Sequence, residues 1–311
     1  MKYVIIQLCD TSVSFCSYSP TSVPNIMPLN FLKEALLWAV KSGLNIQILY
    51  PQQNLPDSYQ SLIDEFEHIE IRPLSNSESA DIWVGKDIEE INAYGEICAP
   101  VILQLTISDF ILRYREIAEI LTKVPRLNVF FSDVPKFSDE MENPYEEALN
   151  YLANKIVQLY KENIPVQFNL ITDRIMLSEM NNCNAGIDSI TLSPDGNFYI
   201  CPAFYIAKCK PCGRYDSGIS IPNNHLYNIN YAPICRECDA YHCRRCVKLN
   251  KDLTLEINTP GHQQCVMSHV ERRVSKNILD AIREYGDFAP NISIPDLDYN
   301  DPFYKIINKT R

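Results

Sequence analysis

The chain has 311 residues, 46% of them hydrophobic and 22% charged, the make-up of a folded globular protein rather than a disordered or fibrous one. Its formal net charge of −11 argues against a nucleic-acid binder, which would want a basic surface to displace phosphate counterions. No run approaches the ~18 apolar residues of a membrane span. The opening MKYVIIQLCDTS lacks the apolar core and cleavage site of a secretory signal, so a cytoplasmic protein is expected.

Buried strands, rich in Val, Ile and Phe, are predicted at residues 3–8, 45–49, 69–71, 81–84, 101–105, 127–131 and 166–171. Between several of them lie helical patterns, at 28–41, 58–67, 110–121 and 145–162. In the first, Leu29, Leu32, Leu36 and Ala39 recur at helical spacing, and Pro28 suits the first turn. Asp109 and Asn143 are the expected N-caps of the third and fourth. This strand–helix–strand rhythm predicts an α/β fold with a mainly parallel sheet. No helix separates the two strands within 69–84, so an incomplete (β/α) barrel or an open sheet is expected.

From about Thr172 the periodicity fades, and Cys, Pro, Asn and Tyr accumulate, as in a loop-dominated domain organised by metal. A helical pattern returns at 266–285, with Gly286 placed to cap it. The expected division is an α/β domain over 1–172, a Cys-rich domain over 173–286 and a C-terminal arm over 287–311.

Nine of the twelve cysteines fall between Cys183 and Cys265. In a reducing compartment such a concentration reads as metal or redox chemistry. Cys235, Cys238, Cys243 and Cys246 lie within twelve residues as two C-x2-C pairs, each able to close on one metal. One tetrahedral zinc would use all four, and equally dense runs serve ferredoxin clusters. Cys183, Cys201 and Cys265 remain, with Cys209 and Cys212 as a further C-x2-C pair. Two four-ligand sites account for this set better than one, which favours iron–sulfur over zinc. Basic residues outnumber acidic ones eight to three between Cys201 and Lys251. They either favour thiolates and offset the charge of a ligated site, or form an ordinary solvated surface.

The order Cys183-x12-Gly196-x4-Cys201, then Cys235-x2-Cys238-x4-Cys243-x2-Cys246, then Cys265, entered through SPDGNFYICP, resembles a SPASM domain. That domain is the two-cluster C-terminal extension of many radical S-adenosylmethionine enzymes that modify peptides and proteins. Two of the inner spacings are each one residue shorter than the family's rule. The resemblance implies one cluster on Cys235, Cys238, Cys243 and Cys265, and another on Cys183, Cys201 and Cys246. The fourth ligand of the latter would be Cys209 or Cys212, or the site would be open. The implied cofactors are one or two [4Fe–4S] clusters, with zinc as the alternative. The fold implied is an incomplete (β/α) barrel-like domain like that of radical S-adenosylmethionine enzymes, followed by the Cys-rich domain.

Over its whole length, with CDTSVSFCSY and PLNFLKEALLWAVKSGLNIQILYP, the chain resembles the CXXX repeat peptide maturase family, SPASM proteins encoded beside short Cys-repeat peptides. That likeness implies a short ribosomally made peptide as partner and a companion modifying enzyme. The chain would then recognise the peptide, ligate it or pass electrons; no nucleic-acid or membrane partner is expected.

Radical chemistry of this class requires C-x3-C-x2-C after the first strand. Here that loop has Cys9, six residues and Cys16, with no third cysteine nearby. The glycine-rich cosubstrate segment expected after the second strand is also missing from Leu49-Tyr50-Pro51-Gln52-Gln53. Classical catalysis by this chain alone is therefore not expected, and no catalytic residue is assigned. Cys9 and Cys16 read first as core or loop thiols. Asp10, Thr11 and Ser12 read as turn formers, at a strand end where α/β active sites gather. His242 and His262 lie beside cysteines but read as exposed or supporting groups. The rival function is a zinc-stabilised, non-enzymatic interaction module.

Overall fold

The computed structural model describes residues 1–76, 79–176, 183–238, 240, 243 and 246–285. The expected arm at 287–311, Gly286 and His242 lie outside the described residues. The first half alternates strands and helices: β1 (Tyr3–Gln7), α1 (Leu29–Lys41), β2 (Asn45–Leu49), α2 (Asp57–Ile63), β3 (Ile69–Pro73), β4 (Ile82–Gly85), α3 (Ile88–Ala93), β5 (Val101–Leu105), α4 (Ile107–Ile120), β6 (Arg126–Phe131), α5 (Asp139–Lys161) and β7 (Gln167–Phe168). After a one-turn helix α6 (Asp173–Met176) come β8 (Ser189–Leu192), β9 (Asn197–Tyr199), α7 (Pro202–Ile206), β10 (Gly213–Arg214), β11 (Gly218–Ile219), α8 (Val247–Thr254) and α9 (His262–Arg283).

Strands β1 to β7 each pair in parallel with the next in chain order. Sequential parallel order is barrel-type winding, left open because β7 and β11 form the two ends of the sheet. Side-chain alternation sorts the two faces. Val4, Ile6, Ile46 and Ile48 pack with α1 and α2, whereas Ile5, Leu49, Ile71, Val84 and Ile102 form a separate cluster on the other face. Phe130 of β6 reaches the same cluster as Ile5 of β1, so the sheet curls around it.

The sheet runs on past residue 172, where the sequence pattern fades. β8 pairs in parallel with the free side of β1, and β9, β10 and β11 follow antiparallel, giving one 11-stranded sheet. The turn between β8 and β9 depends on Gly196, whose φ is +76° and where a Cβ would lie 3.2 Å from the Phe31 ring. Asp195 completes it, accepting from the Asn197 N–H at 3.1 Å and from the Tyr199 hydroxyl at 2.7 Å.

Several boundaries differ from the sequence reading. Thr106, not Asp109, caps α4: the Asp109 N–H donates to Thr106 Oγ1 at 3.0 Å, and that hydroxyl donates to Asp109 Oδ2 at 2.6 Å. Asn143 lies inside α5, which starts at Asp139 with three acidic residues in its first turn. α2 stops at Ile63 rather than residue 67. α3, capped by Asp87 accepting from the Glu90 N–H at 2.8 Å, is too short to leave a periodic signal. Between β3 and β4 the described residues hold only a 3-10 turn, Leu74–Asn76. The strand expected at 166–171 shrinks to Gln167–Phe168 because a side chain takes over the ladder: Asn169 Oδ1 accepts from the Val129 N–H and Asn169 Nδ2 donates to the Val129 carbonyl, both at 2.9 Å.

Helix α9 lies along α5, with Val270, Val274, Ile278 and Ile282 in the core beside Leu149, Leu152 and Ile156. At this junction Arg174 and Glu271 form an ion pair at 1% and 0% side-chain exposure. Tyr145 donates its hydroxyl to Glu271 Oε1 at 2.5 Å, and Arg174 Nη1 donates to the Leu170 carbonyl at 3.1 Å. His269 sits in this positive surrounding. Burial, then Arg272, Arg174 and Arg273, lower its pKa from 6.5 to about 3. The unfolded chain therefore binds one more proton than the folded one between those values. Stability rises with pH there, and falls as pH drops from 6.5 toward about 3. His269→Gln is expected to flatten the acid limb of a stability-versus-pH curve by up to ~1.4 kcal/mol per pH unit. Equal slopes for the variant and the wild type would rule this out. Among the described residues no helix is long and apolar enough to cross a membrane.

Candidate metal centres

Cys235, Cys238 and Cys243 lie in a segment made of turns. A 3-10 turn spans Cys235–Glu237, the Cys238 N–H donates to the Cys235 carbonyl at 3.1 Å, and the Cys243 N–H to the Ala240 carbonyl at 3.0 Å. The Ala240 N–H faces Cys238 Sγ at 3.4 Å. Cys265 joins this group from the first turn of α9, and Ser268, one turn further on, donates to Cys243 Sγ at 3.3 Å. Burial, then the thiols of Cys243, Cys235 and Cys238, push the Cys265 thiol up to about 12.

A second group assembles at the starts of α7 and α8. Cys201 is the N-cap of α7 and Cys246 the N-cap of α8. The nearby Phe204 and Ala203 N–H groups at Cys201, and those of Leu249 and Lys248 at Cys246, favour the thiolates, although neither sulfur accepts a capping hydrogen bond. Burial raises the Cys201 thiol well above its usual range, and Cys246 and Cys183 beside it raise it further. Cys16, from the loop after β1, has the same neighbours: burial first, then Cys201, Cys246 and Cys183, push its thiol well up. Among the described residues no three His, Cys, Asp or Glu side chains converge as the ligands of a single ion do, so these thiols are neighbours rather than a closed shell.

Cys209 and Cys212 pack in the same apolar cluster as Cys201, beneath Tyr227. Cys212 turns away to donate its thiol to the Phe198 carbonyl at 3.3 Å, and it also packs against the core under α1. Gln264, in the first turn of α9, accepts from the Cys246 N–H at 3.2 Å through Oε1. Its Nε2 is buried with no acceptor, on the wall of a cavity shared by Ser17, Phe131, Cys246 and Met267. A sulfur-rich group held by Cys246 would supply the missing acceptor.

The loop between β1 and α1 also closes the inner face of the sheet. Val13 packs with Ile5, Leu49, Ile71, Val84 and Ile102, and Phe15 packs against them, covering this face with hydrocarbon. Gln104 Nε2 donates to the Cys16 and Tyr18 carbonyls at 3.0 and 2.9 Å, and Ser14 Oγ to the Cys16 carbonyl at 2.9 Å. Ser12 Oγ holds the start of the loop, accepting from the Cys9 N–H at 3.0 Å and donating to the Leu49 carbonyl at 2.8 Å. Thr11 donates to Gln53 Oε1 at 2.8 Å, and Asp10 accepts from the Tyr205 hydroxyl at 2.6 Å. Asp10, Thr11 and Ser12 thus shape and anchor this loop, and Cys9 is fully buried within it. The local excess of base is partly cancelled: Arg214 faces Asp216, Arg236 faces Glu237 and Lys248 faces Asp252. Arg244 and Arg245 lie outside the described residues, and His262 is exposed.

In architecture the chain is similar to anSMEcpe with bound AdoMet, with a TM-score of 0.63 over 92% of this chain and 97% of that one, at 10% sequence identity. The chain therefore shares that protein's fold, with the incomplete (β/α) barrel-like domain that the sequence led us to expect. Streptococcus suis SuiB bound to precursor peptide SuiA aligns with a TM-score of 0.45 and 12% identity over 73% of this chain and 64% of that one. No family model matches the sequence, and no curated protein matches it. At such identities the likeness concerns the path of the chain, and the chemistry must be read from its own residues.

Proposed function

We propose that this chain is an iron–sulfur protein of the SPASM type that takes part in maturing a ribosomally made peptide, by recognition or electron transfer, with a companion enzyme performing the chemistry. The observation that carries the reading is two groups of neighbouring thiols, one around Cys265 and one around Cys201 and Cys246, with Cys235 and Cys201 buried, Cys183 exposed and the others half-buried. Donor sets made of sulfur select soft metals. Burial first, and the neighbouring thiols after it, raise these thiol pKa values, so the group ionises together only when a cation compensates it. The N–H groups at Cys201 and Cys246 favour thiolates once a metal is present.

Cys235, Cys238, Cys243 and Cys265 would hold one cluster, and Cys183, Cys201 and Cys246 would carry the other. Bound clusters supply one-electron carriage or metal ligation. The peptide partner rests on the resemblance to the CXXX repeat peptide maturases. The apolar filling by Val13 and Phe15, together with the missing C-x3-C-x2-C, argues against S-adenosylmethionine cleavage by this chain.

The expected result for anaerobically purified protein is a brown colour with iron and acid-labile sulfide, and no 5′-deoxyadenosine above background with S-adenosylmethionine and dithionite. A colourless zinc protein would replace this reading with a zinc-stabilised interaction module. Catalytic formation of 5′-deoxyadenosine would make the chain an enzyme in its own right.

A further inference from the structure

We propose that Cys16, from the loop after β1, is the fourth thiolate ligand of the Cys183, Cys201 and Cys246 centre and closes it from the barrel side. The inference rests on the metal reading above and deepens it, by naming a ligand that lies far in sequence from the Cys-rich region.

The placement is geometric. Cys16 packs against the apolar cluster that contains Cys201 and Val247, the residue after Cys246. Its neighbour Ser17 and Cys246 line one cavity. Nothing about the loop is loose at this point: Gln104 from the inner face of β5 and Ser14 from the loop itself both hold the Cys16 carbonyl, and Tyr18 is buried just beyond. These contacts fix the backbone that carries the Cys16 thiol beside the Cys201 cluster, and a metal site needs ligands held on a fixed backbone. Cys209 and Cys212 pack on the same cluster, but Cys212 is engaged with the Phe198 carbonyl and also packs against the core under α1, and neither is next to a residue that lines the cavity at Cys246.

Four thiolates from four separate segments complete a site, and each loses its proton to solvent as its sulfur binds metal. A complete site leaves no position for a peptide thiol or another outside ligand. The centre is therefore a structural or electron-carrying one. It also ties the β1–α1 loop, and with it Val13 and Phe15, to the C-terminal part of the chain. The loop where this fold class would place a catalytic cluster is thereby committed to another centre.

The test compares iron, sulfide and zinc per chain in full-length wild type, Cys16→Ser and Cys209→Ser/Cys212→Ser. Cys16→Ser is expected to lower metal content about twofold, and the double variant to keep the wild-type value. Since Cys16→Ser could fail to fold, iodoacetamide labelling of the wild type, read by mass spectrometry, gives a second measurement. Cys16 should be protected in the loaded protein and labelled, together with Cys201 and Cys246, after chelation. Wild-type metal content in Cys16→Ser, or Cys16 labelling that chelation does not change, overturns the inference and leaves the metal reading standing. A wild type with neither iron nor zinc overturns both.

Discussion

Glu271→Ala is expected to destabilise the protein by about 3–5 kcal/mol, the usual cost of removing one partner from a buried ion pair. Arg174 and Glu271 are fully buried, and the carboxylate also accepts the Tyr145 hydroxyl at 2.5 Å. Removing it strands a guanidinium whose Nε already lacks an acceptor and leaves the Tyr145 hydroxyl without this one. Most of the loss comes from the uncompensated charge, so Arg174→Met/Glu271→Leu should recover much of it. Denaturant midpoints of the two variants would show this. A single variant within ~0.5 kcal/mol of wild type would mean the pair carries no structural weight.

The same substitution reaches the metal chemistry. α9 carries Cys265 and Gln264 in its first turn and Glu271 two turns later, with Ser275 donating to the Ile171 carbonyl at 2.9 Å just beyond. The ion pair and this hydrogen bond fix α9 against α5 and the 169–175 segment, and so fix the direction in which Cys265 approaches its partners. In Glu271→Ala, metal lost from the Cys265 group before the barrel unfolds would be the sign of that coupling.

Much of the barrel was legible because its signals are local. Strand runs such as Val101–Leu105 and the Leu32, Leu36, Ala39 stripe of α1 carry their own burial pattern. The features that escaped depend on partners distant in sequence. Asn169 imitates a strand residue only because Val129 lies opposite, and β8 extends the sheet only because β1 has a free edge. Cys16 is the clearest case. In sequence it is an isolated thiol next to a broken motif, and its neighbours Cys183, Cys201 and Cys246 become visible only when β8 and β9 are placed beside β1. Val13 and Phe15 read as ordinary loop residues, yet they pack onto the inner face of the sheet. The hydroxyl-rich spelling of CDTSVSFCSY was the available hint, since loops that need so many internal hydrogen bonds are usually fixed against something.

Cys238→Ser is expected to cost the protein one of its metal centres and to open the segment around it to proteases, leaving the barrel intact. The described residues from 220 to 246 form only short 3-10 turns, and Tyr231 and Ile234 are 56% and 55% exposed. Its buried side chains are few, chiefly Tyr227, Ala232, Cys235 and Ala240, so hydrophobic burial cannot hold this stretch by itself. Metal ligation would then provide most of its folding free energy, on the scale of the ~10–16 kcal/mol apparent for structural zinc in small domains. Serine keeps the size and removes the soft ligand, which separates ligation from packing. Trypsin should cut first at Arg236 or Lys248 while α5 and the strands stay protected, and metal content should fall about twofold. The predicted protease sensitivity should also appear in wild type treated with a strong chelator. An unchanged cleavage pattern with full metal content in Cys238→Ser would show that the turns hold themselves together and that Cys238 ligates nothing.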